Sequence, residues 1–169
     1  MFPSIHGLVG TAAGGGAGNP GVGINFGGTN EYLDRGAGLT GASDGKKGLF
    51  SCWFKTSNAA QQRIIHSTGG GLDVFQDGGQ TFRIDARTSG GTRMLRIHTA
   101  ATIDDDAWHH LLASWDMAVD KFMYLDDALD LVSVTFNNDT IDYTVADWAI
   151  GAEVDTTNKG TSKNPCPQA

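Results

Sequence analysis

Acidic side chains crowd two short stretches of the chain, Asp104-Asp105-Asp106 and Asp126-Asp127 with Asp130. Several hard carboxylate oxygens close together are what Ca²⁺ takes as ligands. Asp126, Asp127 and Asp130 are therefore the candidate calcium residues. Aspartates between apolar runs more commonly shape solvated turns, because the short carboxylate bonds nearby backbone N–H groups. We expect turns here, with calcium the one cofactor the acids would suit. Arg83, Arg87 and Arg96, with His98, fall on neighbouring alternating runs. A guanidinium fork matches a carboxylate or phosphate, so these arginines are the candidate ligand-binding residues, for a glycan acid or a phosphate. The plainer reading is a solvated face, tempered by Asp85. His109 and His110 are adjacent; on a strand they point to opposite faces and cannot hold one metal without distortion. We expect one in the core and one in or near the opposite face. Trp53, Trp108, Trp115 and Trp148 would stack sugars if exposed, but large aromatics in such patterns usually serve the core.

Two matches by letter fail on physics. Gly16, Gly18 and Gly21 have dinucleotide-fingerprint spacing, but no strand precedes them and a strand pattern follows where a phosphate-binding helix must start. Gly41-Ala42-Ser43-Asp44-Gly45 has the letters of a nucleophile elbow. That device needs a strand before it and a helix after it, whereas Lys46-Lys47-Gly48 leads into a strand pattern.

The elements that must position these residues are strands. The 169 residues include 24 Gly, and the only Glu residues are Glu31 and Glu153. Glu favours helix interiors whereas Asp and Gly favour turns. Residues 1–21 form a Gly- and Ala-rich arm with too little apolar surface to order by itself. From Val22 to Ala152, short alternating runs are closed by turn residues. They are Val22–Phe26, Leu49–Thr56, Arg63–Ser67, Leu72–Gln76, Phe82–Ala86, Met94–His98, Trp108–Trp115, Lys121–Leu125, Leu131–Phe136 and Trp148–Ala152. Asp77-Gly78-Gly79 is expected to turn a hairpin on a glycine with positive φ. Residues 153–169 carry no strand pattern and are expected to be irregular. The pattern predicts one all-β antiparallel sandwich of two sheets.

Charge excludes one partner class. A net charge of −7 and a pI near 4.9 provide no global positive field for nucleic acid. No apolar run reaches membrane-spanning length, so no membrane insertion is expected. The opening Met1-Phe2-Pro3 lacks the basic and apolar regions of a signal peptide. Cys52 and Cys166 leave a disulfide open.

Three segments resemble the laminin-G-like family of concanavalin-A-like jelly rolls. Ile24-Asn25-Phe26-Gly27-Gly28-Thr29-Asn30-Glu31-Tyr32-Leu33 is similar to that family's opening strand and turn. Trp108-His109-His110-Leu111-Leu112-Ala113-Ser114-Trp115-Asp116 is similar to its Trp-His-His strand. Met123-Tyr124-Leu125-Asp126-Asp127 resembles the strand ending in an Asp-Gly turn, with Asp127 where Gly is usual. The resemblance covers residues 22–152 and implies a jelly roll. Some branches bind calcium, which points again to Asp126, Asp127 and Asp130. Glucanases of this general fold use two Glu in a Glu-x-Asp-x-x-Glu pattern to protonate and attack a glycosidic bond. Glu31 and Glu153 cannot form it, so the resemblance implies binding rather than catalysis, with hydrolysis a distant third reading.

The family's usual closing strand has no counterpart after Ala152, which leaves an edge beside Val22–Phe26 expected to be open for pairing. The short opening and the Gly-rich arm are similar to structural proteins of tailed bacteriophages. This implies a structural or decoration protein of a virion, capsid or tail, made in the host cytoplasm. Its expected partners are other virion proteins or further copies of itself. A lectin module for host glycans is the alternative. Within the fold, Trp108 and Trp115 are expected to be core anchors on opposite faces of one strand, Trp115 the deeper.

Overall fold

Alternation of apolar and polar side chains gives a strand one face for a core and one for solvent, and the chain uses it in nearly every element. A computed structural model describes residues 32–35, 37–57 and 59–151. In chain order the strands are β1 (Leu33–Asp34), β2 (Lys47–Lys55), β3 (Gln62–Ser67), β4 (Leu72–Gln76), β5 (Phe82–Arg87), β6 (Arg93–His98), β7 (Trp108–Asp116), β8 (Asp120–Leu125), β9 (Ala128–Leu129), β10 (Val132–Phe136) and β11 (Trp148–Ile150). One short 3₁₀ turn, Thr68–Gly70, joins β3 to β4, and no α-helix occurs among the described residues. No helix there is long and apolar enough to cross a membrane.

The strands form two antiparallel sheets. The larger has seven strands in the order β1-β11-β3-β4-β5-β6-β10, and the smaller has four in the order β2-β7-β8-β9. This is the two-sheet antiparallel sandwich that the alternation predicts, and it agrees with the jelly roll that the resemblance implies. From Leu49 onward the expected runs match strands to within two residues at their ends; the two-residue strands β1 and β9 were too short to carry a pattern. The run Val22–Phe26, the arm 1–21, the tail 153–169 and the edge expected to be open lie outside the described residues, as do Glu31, Glu153 and Cys166.

The core fills the space between the sheets. Val74, Phe82, Ile84, Leu95 and Ile97 of the larger sheet face Leu111, Ala113, Trp115 and Met123 of the smaller. Cys52 is half-buried against this cluster. Trp115 is deeply buried, and its indole N–H donates to the Tyr143 hydroxyl at 3.0 Å. Tyr143 in turn donates to the Lys47 carbonyl at 3.1 Å. Gly48 lies opposite Trp115 in the β2–β7 register. A Cβ there would run into the indole ring, so the glycine makes room for the tryptophan.

One turn differs from expectation in its chemistry, and a second is an expected turn made without glycine. In the β4–β5 hairpin the residue with positive φ is Gln80 (66°), not Gly78 or Gly79. The Asp77 carboxylate sets that turn by accepting from the Gly79 and Thr81 N–H groups and from the Thr81 hydroxyl. Between β8 and β9, Asp126 and Asp127 both have positive φ, 49° and 65°. Leu125 pairs with Ala128 across them, so this is a two-residue hairpin of the primed type, where Asn-Gly is favoured.

Candidate functional site

The side chains on the outer face of the smaller sheet come from odd positions of β2 and even positions of β7 and β8. The β2–β7–β8 register lays them out in rows. Lys47, Asp116 and Asp120 form the first row, Leu49, Ser114 and Phe122 the second, and Ser51, Leu112 and Tyr124 the third, which Leu129 of β9 extends. Trp53 pairs with His110 and Lys55 with Trp108 at the far end. Six large apolar side chains are thus exposed on one face: Leu49 (73%), Trp53 (65%), Trp108 (51%), Leu112, Phe122 and Leu129. Large exposed apolar patches are the kind of surface through which proteins make contacts.

Trp108 is therefore no core anchor. The alternation that buries Trp115 turns Trp108, seven positions earlier, to the outside, where it stays exposed. Trp53 is outward for the same reason, while Trp148 is buried. Trp53 stacks on the His110 ring with centroids 4.9 Å apart, and His110 Nε2 shares a 2.9 Å hydrogen bond with Ser51 Oγ. The acids nearest these tryptophans are already engaged. Asp106 pairs with Lys55 at 3.3 Å, and Asp126 accepts the His110 backbone N–H at 2.8 Å.

The neighbouring His109 faces inward from β7 and is half-buried, at the margin of the core rather than in it. Its Nδ1 lies 2.7 Å from Asp126 Oδ2 and its Nε2 2.9 Å from Asp105 Oδ1. Burial opposes the charged ring, but hydrogen bonds to the two carboxylates outweigh it and raise the His109 pKa above its ordinary 6.5. The hydrogen bond from His109 holds Asp105 below the usual carboxylate value. The His110 backbone N–H, followed by His109, does the same for Asp126. This cluster clamps the start of β7 to the β8–β9 turn.

The calcium candidates do not converge. Asp126 is engaged by His109 and His110. Asp127 occupies the exposed turn position. Asp130 points elsewhere and accepts the N–H groups of Ala100 (2.6 Å) and Ala101 (3.1 Å) after β6. Among the described residues, no group of three or more His, Cys, Asp or Glu is arranged to hold a metal ion.

The arginine candidates do share one face, the outer face of the larger sheet. Arg83, Asp85 and Arg87 of β5 stand opposite His98, Arg96 and Arg93 of β6. The face is a charge network rather than a row of solvated cations. Asp85 is buried, and Arg96 grips it with Nε donating to Oδ1 at 2.9 Å and more weakly to Oδ2 at 3.3 Å, and Nη2 donating to Oδ2 at 2.6 Å. Arg93 Nε lies 3.3 Å from the same carboxylate. Arg83 pairs with Asp77, and Arg87 donates to the Gly91 carbonyl at 2.9 Å. The Arg63 and Arg83 guanidiniums lie over the Phe75 ring. The hydrogen bond with Asp85 raises the Arg96 pKa against the opposing effect of burial. Burial lowers that of Arg93, with Arg96, Arg87 and Arg83 adding repulsion. The segment 41–45 has no helix after it and enters β2, as its composition suggests; Asp44 there accepts from the Tyr143 and Thr144 N–H groups.

Sequence and structure comparisons bear on the fold these faces belong to. A laminin G family model, described as the Concanavalin A-like lectin/glucanases superfamily, matches residues 37–162. No curated protein matches the chain. Among solved structures, domains LG4-5 of the mouse laminin α1 chain are similar at 17% identity and a TM-score of 0.60, over 95% of this chain. The chain spans 42% of that structure's length. A native heptameric SAP-like pentraxin from Limulus polyphemus is similar at 12% identity and a TM-score of 0.50, over 82% of this chain and 72% of the pentraxin.

Proposed function

This chain belongs to the Concanavalin A-like lectin/glucanases superfamily, and from that premise we propose that it is a non-catalytic module of a bacteriophage virion, on the capsid or tail surface, acting through protein–protein contacts. The observation that supports the protein-contact part of this reading is the apolar outer face of the smaller sheet; the virion part rests on the resemblance of the sequence alone. Leu49, Leu112, Phe122 and Leu129 carry no hydrogen-bonding group to orient a sugar, although the hydroxyls of Ser51, Ser114 and Tyr124 lie among them. Such a face suits another protein's apolar surface. The charged face of the larger sheet supports the same choice, because Asp85 and Asp77 already occupy Arg96, Arg93 and Arg83.

The alternative is a lectin, favoured by the exposure of Trp53 and Trp108, since sugars stack on such rings. Against it, among the described residues, Asp106 is engaged by Lys55 and Asp126 by the His110 backbone N–H. The test is to raise an antibody against the folded chain and apply it to gradient-purified, intact particles from the host carrying the gene. Labelling of the particle surface is expected, and its loss in a Leu49→Asp variant ties incorporation to this face. Absence of the protein from purified particles ends the virion reading. Glycan binding abolished by Trp53→Ala moves the function to the lectin.

A further inference from the structure

We propose that His109 is a pH-operated latch: its charged ring ties the β6–β7 loop to the β8–β9 turn, and loss of one ring proton frees the loop beside Trp108. The latch belongs to the chain itself and holds whichever partner meets the apolar face.

A neutral imidazole has one N–H donor and one lone pair, whereas the charged ring has two N–H donors. His109 has a carboxylate oxygen at hydrogen-bond distance from each nitrogen, Asp126 Oδ2 at 2.7 Å from Nδ1 and Asp105 Oδ1 at 2.9 Å from Nε2. An ionised carboxylate only accepts, so both contacts are attractive only while the ring carries both protons. Asp105 and Asp126 are the charged groups that act on the ring. From β2 the ring meets the uncharged Phe54, with centroids 5.7 Å apart. His110, next on β7, faces the opposite side and bonds Ser51. Asp106 is paired with Lys55, and Asp127 stands in the exposed turn. The two carboxylates outweigh the cost of burial, so the ring loses its charge above 6.5.

The two carboxylates are held unequally, and this decides which one lets go. Asp126 Oδ1 also accepts the His110 backbone N–H at 2.8 Å, which pins it to β7. Asp105 lies in the loop with its side chain 58% exposed, and its other bond is a local one from the Ala107 N–H. The neutral ring therefore keeps its Nδ1–H on Asp126 and turns the Nε2 lone pair on Asp105, whose carboxylate moves out to water. The loop then loses its tie to the β7 side chains. Next to it, Asp106 has a φ of 61°, a conformation that residues with side chains adopt sparingly. Asp106 joins the loop to the end of β2, donating its N–H to the Thr56 carbonyl at 3.0 Å and pairing with Lys55. Trp108 follows directly and lies opposite Lys55. Ile103, buried and bonded to the Gln80 carbonyl, confines the release to residues 104–107. The far end of the apolar face is thus ordered in mildly acidic solution and loosened in alkaline solution.

The experiment is an NMR titration of the full chain from about pH 5 to about pH 9, with a chelator present so that no cation competes for the carboxylates. Both His109 ring nitrogens should carry protons at the acidic end and convert to the Nδ1–H tautomer with a midpoint above 6.5. The amide signals of Asp105, Asp106, Ala107 and Trp108 should shift with the same midpoint. Protection of the Asp106 amide from hydrogen exchange should fall at least about tenfold across it. Asp105→Asn should abolish the response of the loop while His109 still titrates, because a carboxamide accepts from the charged ring and donates to the neutral one. A neutral His109 at the acidic end, conversion to the Nε2–H tautomer, a loop that does not follow the His109 midpoint, or an Asp105→Asn loop that still follows it overturns the proposal.

Discussion

The two outer faces of the sandwich are built on the same alternating principle and have opposite characters. On the larger sheet, Asp85 is enclosed by Arg96 and Arg93, and Phe75 lies beneath Arg63 and Arg83. That face satisfies itself. On the smaller sheet, Leu49, Trp53, Phe122 and Leu129 stand out into solvent. That face leaves its apolar side chains open. Residue types that invite a ligand in the sequence, a row of arginines, turn out to be internally matched, and the unmatched surface is made of ordinary core-type residues facing the wrong way for a core.

The comparison can be broken most severely at β7, which lies between the core and the apolar face. Trp115→Ala should destabilise the fold by about 3–5 kcal/mol, as for a buried aromatic, measured by urea unfolding. Trp53→Ala, on the outer face of the adjacent strand, should stay within about 0.5 kcal/mol of the parent. Equal losses in the two variants would mean that the apolar face is covered within the chain and is no docking surface.

A smaller effect is expected on the charged face. Asp85→Ala removes the shared acceptor of Arg96 and Arg93. Breaking a fully buried pair costs about 3–5 kcal/mol; these arginines keep some solvent access, which brings the expected loss to about 2–3 kcal/mol. An unchanged urea midpoint would show that the arginines are solvated independently and remain open to a ligand.

The smallest effect is a pH dependence at the His109 clamp. His109 has a folded pKa above 6.5, so its contribution is complete below 6.5 and is lost as pH rises through the raised value. Asp105 and Asp126 have folded pKa values below 3.8, so theirs is complete above 3.8 and is lost as pH falls through the lowered values. The clamp acts fully between 3.8 and 6.5. Thermal unfolding should therefore show stability declining from mildly acidic to mildly alkaline pH. His109→Gln should flatten that decline, and a variant with an unaltered profile would remove His109 as its source.

Local periodicity determined most of this architecture before any tertiary contact. A period of two is a property of the extended chain itself, so the runs at Leu72–Gln76, Phe82–Ala86 and Trp108–Trp115 announced β4, β5 and β7. Their parity set Trp115 with Leu111 and Ala113, and Arg83 with Asp85 and Arg87. Parity states which residues share a face, but not whether that face meets another sheet. Only the packing of the two sheets decided that the Trp115 side of β7 lies inside and the Trp108 side outside, and so turned Trp108, expected as a core anchor, into surface. Only the pairing of β5 with β6 brought Arg96 onto Asp85, eleven residues away. Asp126 and His109 met in the same way, through the β7–β8 register. Burial and charge pairing are properties of neighbours distant in sequence, and a single chain of letters fixes its near neighbours alone.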